Sequence, residues 1–120
     1  MTWPGQRLWI PYVGLVSKLP RDHYDPSDPH KGRPAVVVKV MQTERACMVV
    51  TRTTEVGVVR PYDIVHQIDL SVGCDHQGWW QVRRDYRVLF SAFDDEDVEI
   101  YQTLDNDTLT QVLRAYEERR

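Results

Sequence analysis

From residue 35 to residue 40 the chain reads Ala-Val-Val-Val-Lys-Val, a β-branched run too short for a helix and therefore a buried strand. Residues 47–51, Cys-Met-Val-Val-Thr, have the same character, and the short polar stretch 41–45 between the two runs predicts an antiparallel hairpin. Upstream, residues 7–19 are rich in strand formers, but Pro11 and Gly14 interrupt them and predict an edge strand or two short ones. Residues 20–32 mix prolines, aspartates and histidines with no period and predict a long loop. Further short strands are expected at 56–59, 64–68, 79–82, 87–90 and 98–101. If 79–82 is a strand, Trp79 and Trp80 point to opposite faces. Leu109, Val112, Leu113 and Tyr116 recur at helical spacing and predict one helix over 105–118, with Asp105 or Asp107 as its cap. Arg114, Arg119 and Arg120 lie toward its C-terminal end, where the helix dipole favours cations. Many short strands and one terminal helix make the chain mainly β, and a barrel or sandwich fits better than a βαβ alternation.

With 120 residues, 42% hydrophobic and 28% charged, the chain is expected to form a single folded domain over 1–120, with residues 1–11 a possible N-terminal extension. Its apolar runs fall far short of the roughly 20 residues that a spanning helix needs, so no membrane contact is expected. The start of the chain lacks the features of a secretory signal, which predicts a cytoplasmic location. Cys47 and Cys74 have no disulfide-framework spacing and read as reduced thiols. The net charge of −3 argues against broad electrostatic binding to duplex nucleic acid, so any RNA contact must be local. Cys74 and His76, with His66 upstream, lack the four-ligand spacing of a closed zinc site, so no metal is expected. The acidic run at 94–97 reads as a solvated turn. No nucleophile-elbow, P-loop or zinc-hydrolase motif occurs in the sequence.

One segment carries a more specific signal. Gly32-Arg33-Pro34 opens the valine run, and the following strand ends in Thr53-Thr54; this order resembles the centre of MazF/PemK toxins, in which a Gly-Arg-Pro turn precedes a Val-rich strand and a Thr-Thr or Thr-Ser pair. Arg83-Arg84-Asp85 is similar to the Arg-x-Asp of one branch of that family, and the terminal helix continues the likeness, which covers roughly residues 29–116. Thr51-Arg52 stands where the family has a proline before the threonine pair, and the loop before Arg33 is shortened between His30 and Gly32. The resemblance implies a small SH3-like β-barrel of the MazF/PemK type, metal-independent and cofactor-free cleavage of single-stranded RNA, growth inhibition, a homodimer, and an acidic antitoxin as partner.

It also implies roles for particular residues. Cleavage by the ribose 2′-hydroxyl needs a base, an acid, and a fixed donor for the charge that grows on the phosphoryl oxygens. Arg33 matches the family's catalytic arginine and suits charge stabilisation, because its planar fork of donors fits a phosphate. Thr53 matches the active-site threonine, whose hydroxyl would position the phosphate, with Thr54 as its neighbour. His30 is the natural proton-transfer group, and Asp85, with Arg83, is expected to orient or share that work. Lys31, Arg83 and Thr54 are the expected RNA contacts. Each has an ordinary reading too: a solvated arginine, a β-branched strand end, a loop histidine, a surface Arg–Asp pair. The alternative function is a noncatalytic growth inhibitor or protein-binding module on the same barrel. A gyrase-poison relative is disfavoured, because the chain ends Glu117-Glu118-Arg119-Arg120 rather than in a Trp-Gly-Ile tail.

Overall fold

The structure, a computed structural model, describes residues 10–119. Strands β1 (Leu15–Pro20), β2 (Gly32–Met41), β3 (Ala46–Thr53), β4 (Ile64–His66), β5 (Gly78–Leu89) and β6 (Glu99–Thr103) precede one helix, α1 (Asn106–Glu118). They form one antiparallel sheet in the order β4-β5-β3-β2-β1-β6, curled into a half-barrel. Register shifts interrupt three of the strand pairs, at Leu15/Ser17, Val37/Lys39 and Val50/Arg52. Bulges of this kind bend a strand and increase its twist.

The period-2 alternation of the valine runs sends neighbouring side chains into two cores, one on each face of the sheet. Leu15, Leu19, Ala35, Val37, Cys47, Val49 and Val88 pack on one face beneath Phe90, Ala92, Phe93 and Val98. Val16, Val36, Val38, Val50, Trp80 and Val82 pack on the other, together with Val72, Leu104 and the helix residue Val112, and Leu109, Leu113 and Tyr116 lie against them. β3 is the central strand, paired with β2 on one side and β5 on the other, and only Met48 in it is more than marginally exposed. Asp105 caps α1, its side chain accepting from the Thr108 amide.

The hairpin of β2 and β3 and the helix agree with expectation. Residues 56–59 do not form a strand. Val56–Val58 is a turn of 3-10 helix, and Val56 is 71% exposed, so its side chain has no sheet face to bury. The expected strands at 79–82 and 87–90 are one strand, β5, apart from Phe90, which starts a 3-10 turn: Asp85 pairs with Val50 and Tyr86 with Val49, and a register shift bridges the stretch in which Arg83 and Arg84 stay exposed. Of the expected strand over 7–19, β1 begins only at Leu15, after Gly14 at φ +98. Residues 7–9, most of the expected extension at 1–11, and Arg120 lie outside the described residues. Trp80 is fully buried and Trp79 only partly so, as opposite faces of one strand require.

Candidate active site

The Gly-Arg-Pro opening of β2 has a steric basis. A Cβ at Gly32 would lie 2.6 Å from the Leu19 carbonyl oxygen, so only glycine lets β2 run this close to β1. Arg33 follows with its side chain 16% exposed and faces the Asp28 carboxylate, itself 7% exposed. Arg33 Nε donates to Asp28 Oδ2 at 2.7 Å and Nη2 to Oδ1 at 3.3 Å. Two further donors complete the Asp28 shell, the Tyr24 hydroxyl at 2.5 Å and the His30 amide at 2.9 Å. Burial pushes this carboxyl up, but the hydrogen bonds from Arg33, Tyr24 and the His30 amide, with the charge of Arg33, outweigh it and hold the group at about 2. Burial disfavours the Arg33 cation, and the same ion pair reverses the effect, so its pKa lies above the ordinary value. Arg33 Nη1 makes no hydrogen bond among the described residues.

On β3, Thr51 lies opposite Ala35 of β2, and alternation puts Val49, Thr51 and Thr53 on one face. Thr53 is buried, and its hydroxyl accepts from the Glu55 amide at 3.1 Å. The Glu55 carboxylate in turn lies 2.7 Å from His30 Nε2. Two hollows meet at this corner. One, of about 360 Å³, is lined by Asp28, Arg33, Thr51, Glu55, Arg60 and Arg83 among others. The second, of about 310 Å³, includes Lys18, His30, Arg33, Arg52, Thr53 and Thr54. Arg33 and Glu55 border both.

The structure therefore brings Arg33, Thr53, Thr54 and His30 to one hollow and places Arg83 with Arg33 in the other. Lys31 is exposed and lines neither; its carbonyl accepts from the Arg21 amide. Asp85 belongs elsewhere. It accepts from the Tyr116 hydroxyl at 2.6 Å and Arg119 Nη2 at 3.0 Å, in a separate hollow between β5 and the end of α1. There it fastens the helix to the sheet.

A buried network backs the second hollow. Arg52 Nε donates to His66 Nδ1 at 3.0 Å, and His66 Nε2 lies 3.3 Å from Asp69 Oδ2 and 3.8 Å from Asp105 Oδ1. These three side chains converge closely enough for a metal ion. The Arg52 donor argues against one. It makes Nδ1 the acceptor, so the ring hydrogen sits on Nε2 and points at the carboxylates, where an ion would need a bare nitrogen. Burial and the Arg52 charge hold His66 below its ordinary pKa, against the pull of Asp69. Cys74 does not join the group: burial pushes its thiol up, and its sulfur donates to the Val72 carbonyl.

No protein-family model matches the sequence, and no curated protein matches it. Solved structures do. A chain of the MazE-MazF crystal structure from Deinococcus radiodurans in one crystal form superposes with a TM-score of 0.63 at 14% identity, covering 92% of this chain and 94% of that one. A second form gives 0.63 at 15% identity, covering 92% and 95%. The fold is that of MazF.

At this level of identity the MazF likeness fixes the path of the backbone and leaves the site chemistry to this chain's own residues. Sequence reading did not single out Asp28, Thr51, Glu55 or Arg52 as part of the MazF-like corner. Asp28 and Glu55 sit in segments without a period, and nothing in their spacing shows that both fold back toward Arg33. Arg52 did carry a signal: alternation from Val50 puts a charged side chain at an inward-facing position of a central strand.

Proposed function

We propose that this chain is a toxin-type endoribonuclease that cuts single-stranded RNA without a metal ion and thereby inhibits growth. The observation that carries the reading is the placement of Arg33. Its guanidinium is gripped on one edge by a strongly acidic carboxylate and stands where two hollows meet, beside a buried threonine and a histidine–glutamate pair. A fixed cation of this kind is what a phosphoryl group accumulating charge requires.

In the reaction, the 2′-oxygen of the ribose attacks the adjacent phosphorus, the bond from phosphorus to the 5′-oxygen breaks, and a cyclic phosphate and a 5′-hydroxyl result. Arg33 Nη1 serves the phosphoryl oxygens. Thr53 Oγ1, fixed by the Glu55 amide, positions the phosphate. His30, oriented by Glu55, takes the 2′-proton or returns one to the leaving oxygen. Asp28, held at about 2, is a poor base and acts as the clamp that orients Arg33. Arg83, Thr54 and Lys31 extend the RNA contact. The MazF-like fold also supports a homodimer and an antitoxin segment that blocks the corner, as the MazE-MazF pairing of the structural neighbours suggests.

The test is incubation of the purified protein with long single-stranded RNA and excess chelator, beside Arg33→Ala. Cutting by the wild type that the variant loses is expected. Equal cutting by both would remove Arg33 from the mechanism, and growth arrest that survives Arg33→Ala without RNA cleavage would point instead to a protein-binding inhibitor.

A further inference from the structure

Arg52 is anomalous for a buried cation. It is 3% exposed, yet its partners are neutral: His66 Nδ1 on Nε, and the backbone oxygens of His66, Gln67 and His76 on Nη2 at 3.0, 3.3 and 2.7 Å. No carboxylate lies within ion-pair distance of it among the described residues. A charge withdrawn from water is costly unless it is paired; the carboxylates of Asp69 and Asp75 act on Arg52 only through space, so neither contacts the guanidinium and an anion could. Arg33, by contrast, has its own carboxylate.

Much of the local structure fixes this side chain. A Cβ at Gly78 would come within 2.6 Å of Arg52 Nη1, so glycine clears the space in which the guanidinium lies. The His66 ring is aligned from behind by Asp69 and Asp105. Nη1 makes no hydrogen bond among the described residues. Arg52 borders the same hollow as Arg33, Thr53 and His30, whose wall also carries Lys18 and His76.

Resting on the RNA-cutting reading, we infer that Arg52 is a second phosphate-binding guanidinium, holding the backbone phosphate next to the one that reacts at Arg33. The pre-fixed fork suits a phosphodiester oxygen, because little side-chain freedom remains to be lost on binding. Arg52 thus positions the strand, and the chemistry stays with Arg33.

Two measurements test this. In the full-length wild type, the side-chain ¹⁵Nε resonance of Arg52 is followed by NMR during titration with a 2′-O-methyl single-stranded RNA octamer, which cannot be cut, and separately with inorganic phosphate. The inference expects a saturable shift with the octamer at concentrations where phosphate alone produces none. Arg52→Gln is expected to flatten the plot of log affinity against log salt by about 0.7, the share of one phosphate contact on a single strand. A silent Arg52 resonance in RNA-saturated wild type overturns the inference, as does an unchanged slope in a variant that still unfolds cooperatively. An equal response to inorganic phosphate overturns the assignment to RNA. Should Arg52→Gln fail to fold, the wild-type resonance alone decides. Wild type that cuts RNA with Arg52 silent defeats this inference only; wild type that neither binds nor cuts RNA defeats the RNA reading with it.

Discussion

Replacing Asp28 with asparagine isolates the ion pair on which the Arg33 geometry depends. In the folded protein the carboxyl titrates at about 2, against an ordinary 3.8. A folded-state pKa below the unfolded one means that the unfolded chain takes up the proton first as the pH falls. The stabilisation is therefore fully present above about 3.8 and is lost as the pH drops through about 2. At 1.36 kcal/mol per pH unit, that interval corresponds to about 2 kcal/mol at neutral pH. Asp28→Asn should lower the unfolding free energy by about that amount at pH 7, and by somewhat more if the half-buried Arg33 is left unpaired. Urea denaturation of both proteins, repeated from pH 7 down to pH 2, measures the gap directly. The gap should shrink steadily below pH 4. A variant as stable as the wild type at pH 7, or a gap that stays constant into acid, would refute the claim that this carboxylate is the structural clamp of the site.

Three other outcomes follow from the contacts described. Gly78→Ala should destabilise the fold by more than about 1 kcal/mol in thermal melts, because the new methyl meets the Arg52 guanidinium and the Thr53 carbonyl, neither of which has room to retreat. Asp105→Ala removes the α1 cap and should cost about 1 kcal/mol, read by chemical denaturation. Asp85→Asn should loosen the end of α1, seen as faster amide exchange at residues 113–118, while leaving RNA cleavage at the wild-type rate; a large loss of cleavage would return Asp85 to the reacting group.

The sequence was most readable where burial forces periodicity. The β2–β3 hairpin and the amphipathic α1 were legible because each has a face that must be apolar, and the Asp105 cap because its chemistry is local. The 3-10 turn at Val56–Val58 was misread because three valines in four residues mimic a strand, while the exposure of Val56 is decided by tertiary context. The polar middle of β5 hid the unity of that strand, since Asp85 to Arg87 pair through their backbones, a register shift carries the chain past 81–84, and the stretch shows no apolar alternation. Within the site, Arg33 and Thr53 were visible through a motif in consecutive residues. Asp28 and the Glu55–His30 pair were not, because their positions follow from how an aperiodic loop folds back, which leaves no trace in spacing. Asp85 was drawn toward the site by its nearness in sequence to Arg83, yet Arg83 borders both hollows whereas Asp85 borders only the one beside α1.

The central position of β3 also divides the site by opening energy. Thr51 is paired with Ala35 of β2, and Arg52 and Thr53 with Trp80 and Trp79 of β5, so their amides are expected to exchange with solvent deuterium more slowly than those of the neighbouring loop. Asp28 and His30 belong to the segment between β1 and β2, outside the ladder, where separation requires only local fluctuation. One half of the corner is thus secured by backbone ladders and the other by the side-chain contacts of Asp28 and Glu55, so an entering strand meets two walls built by different means.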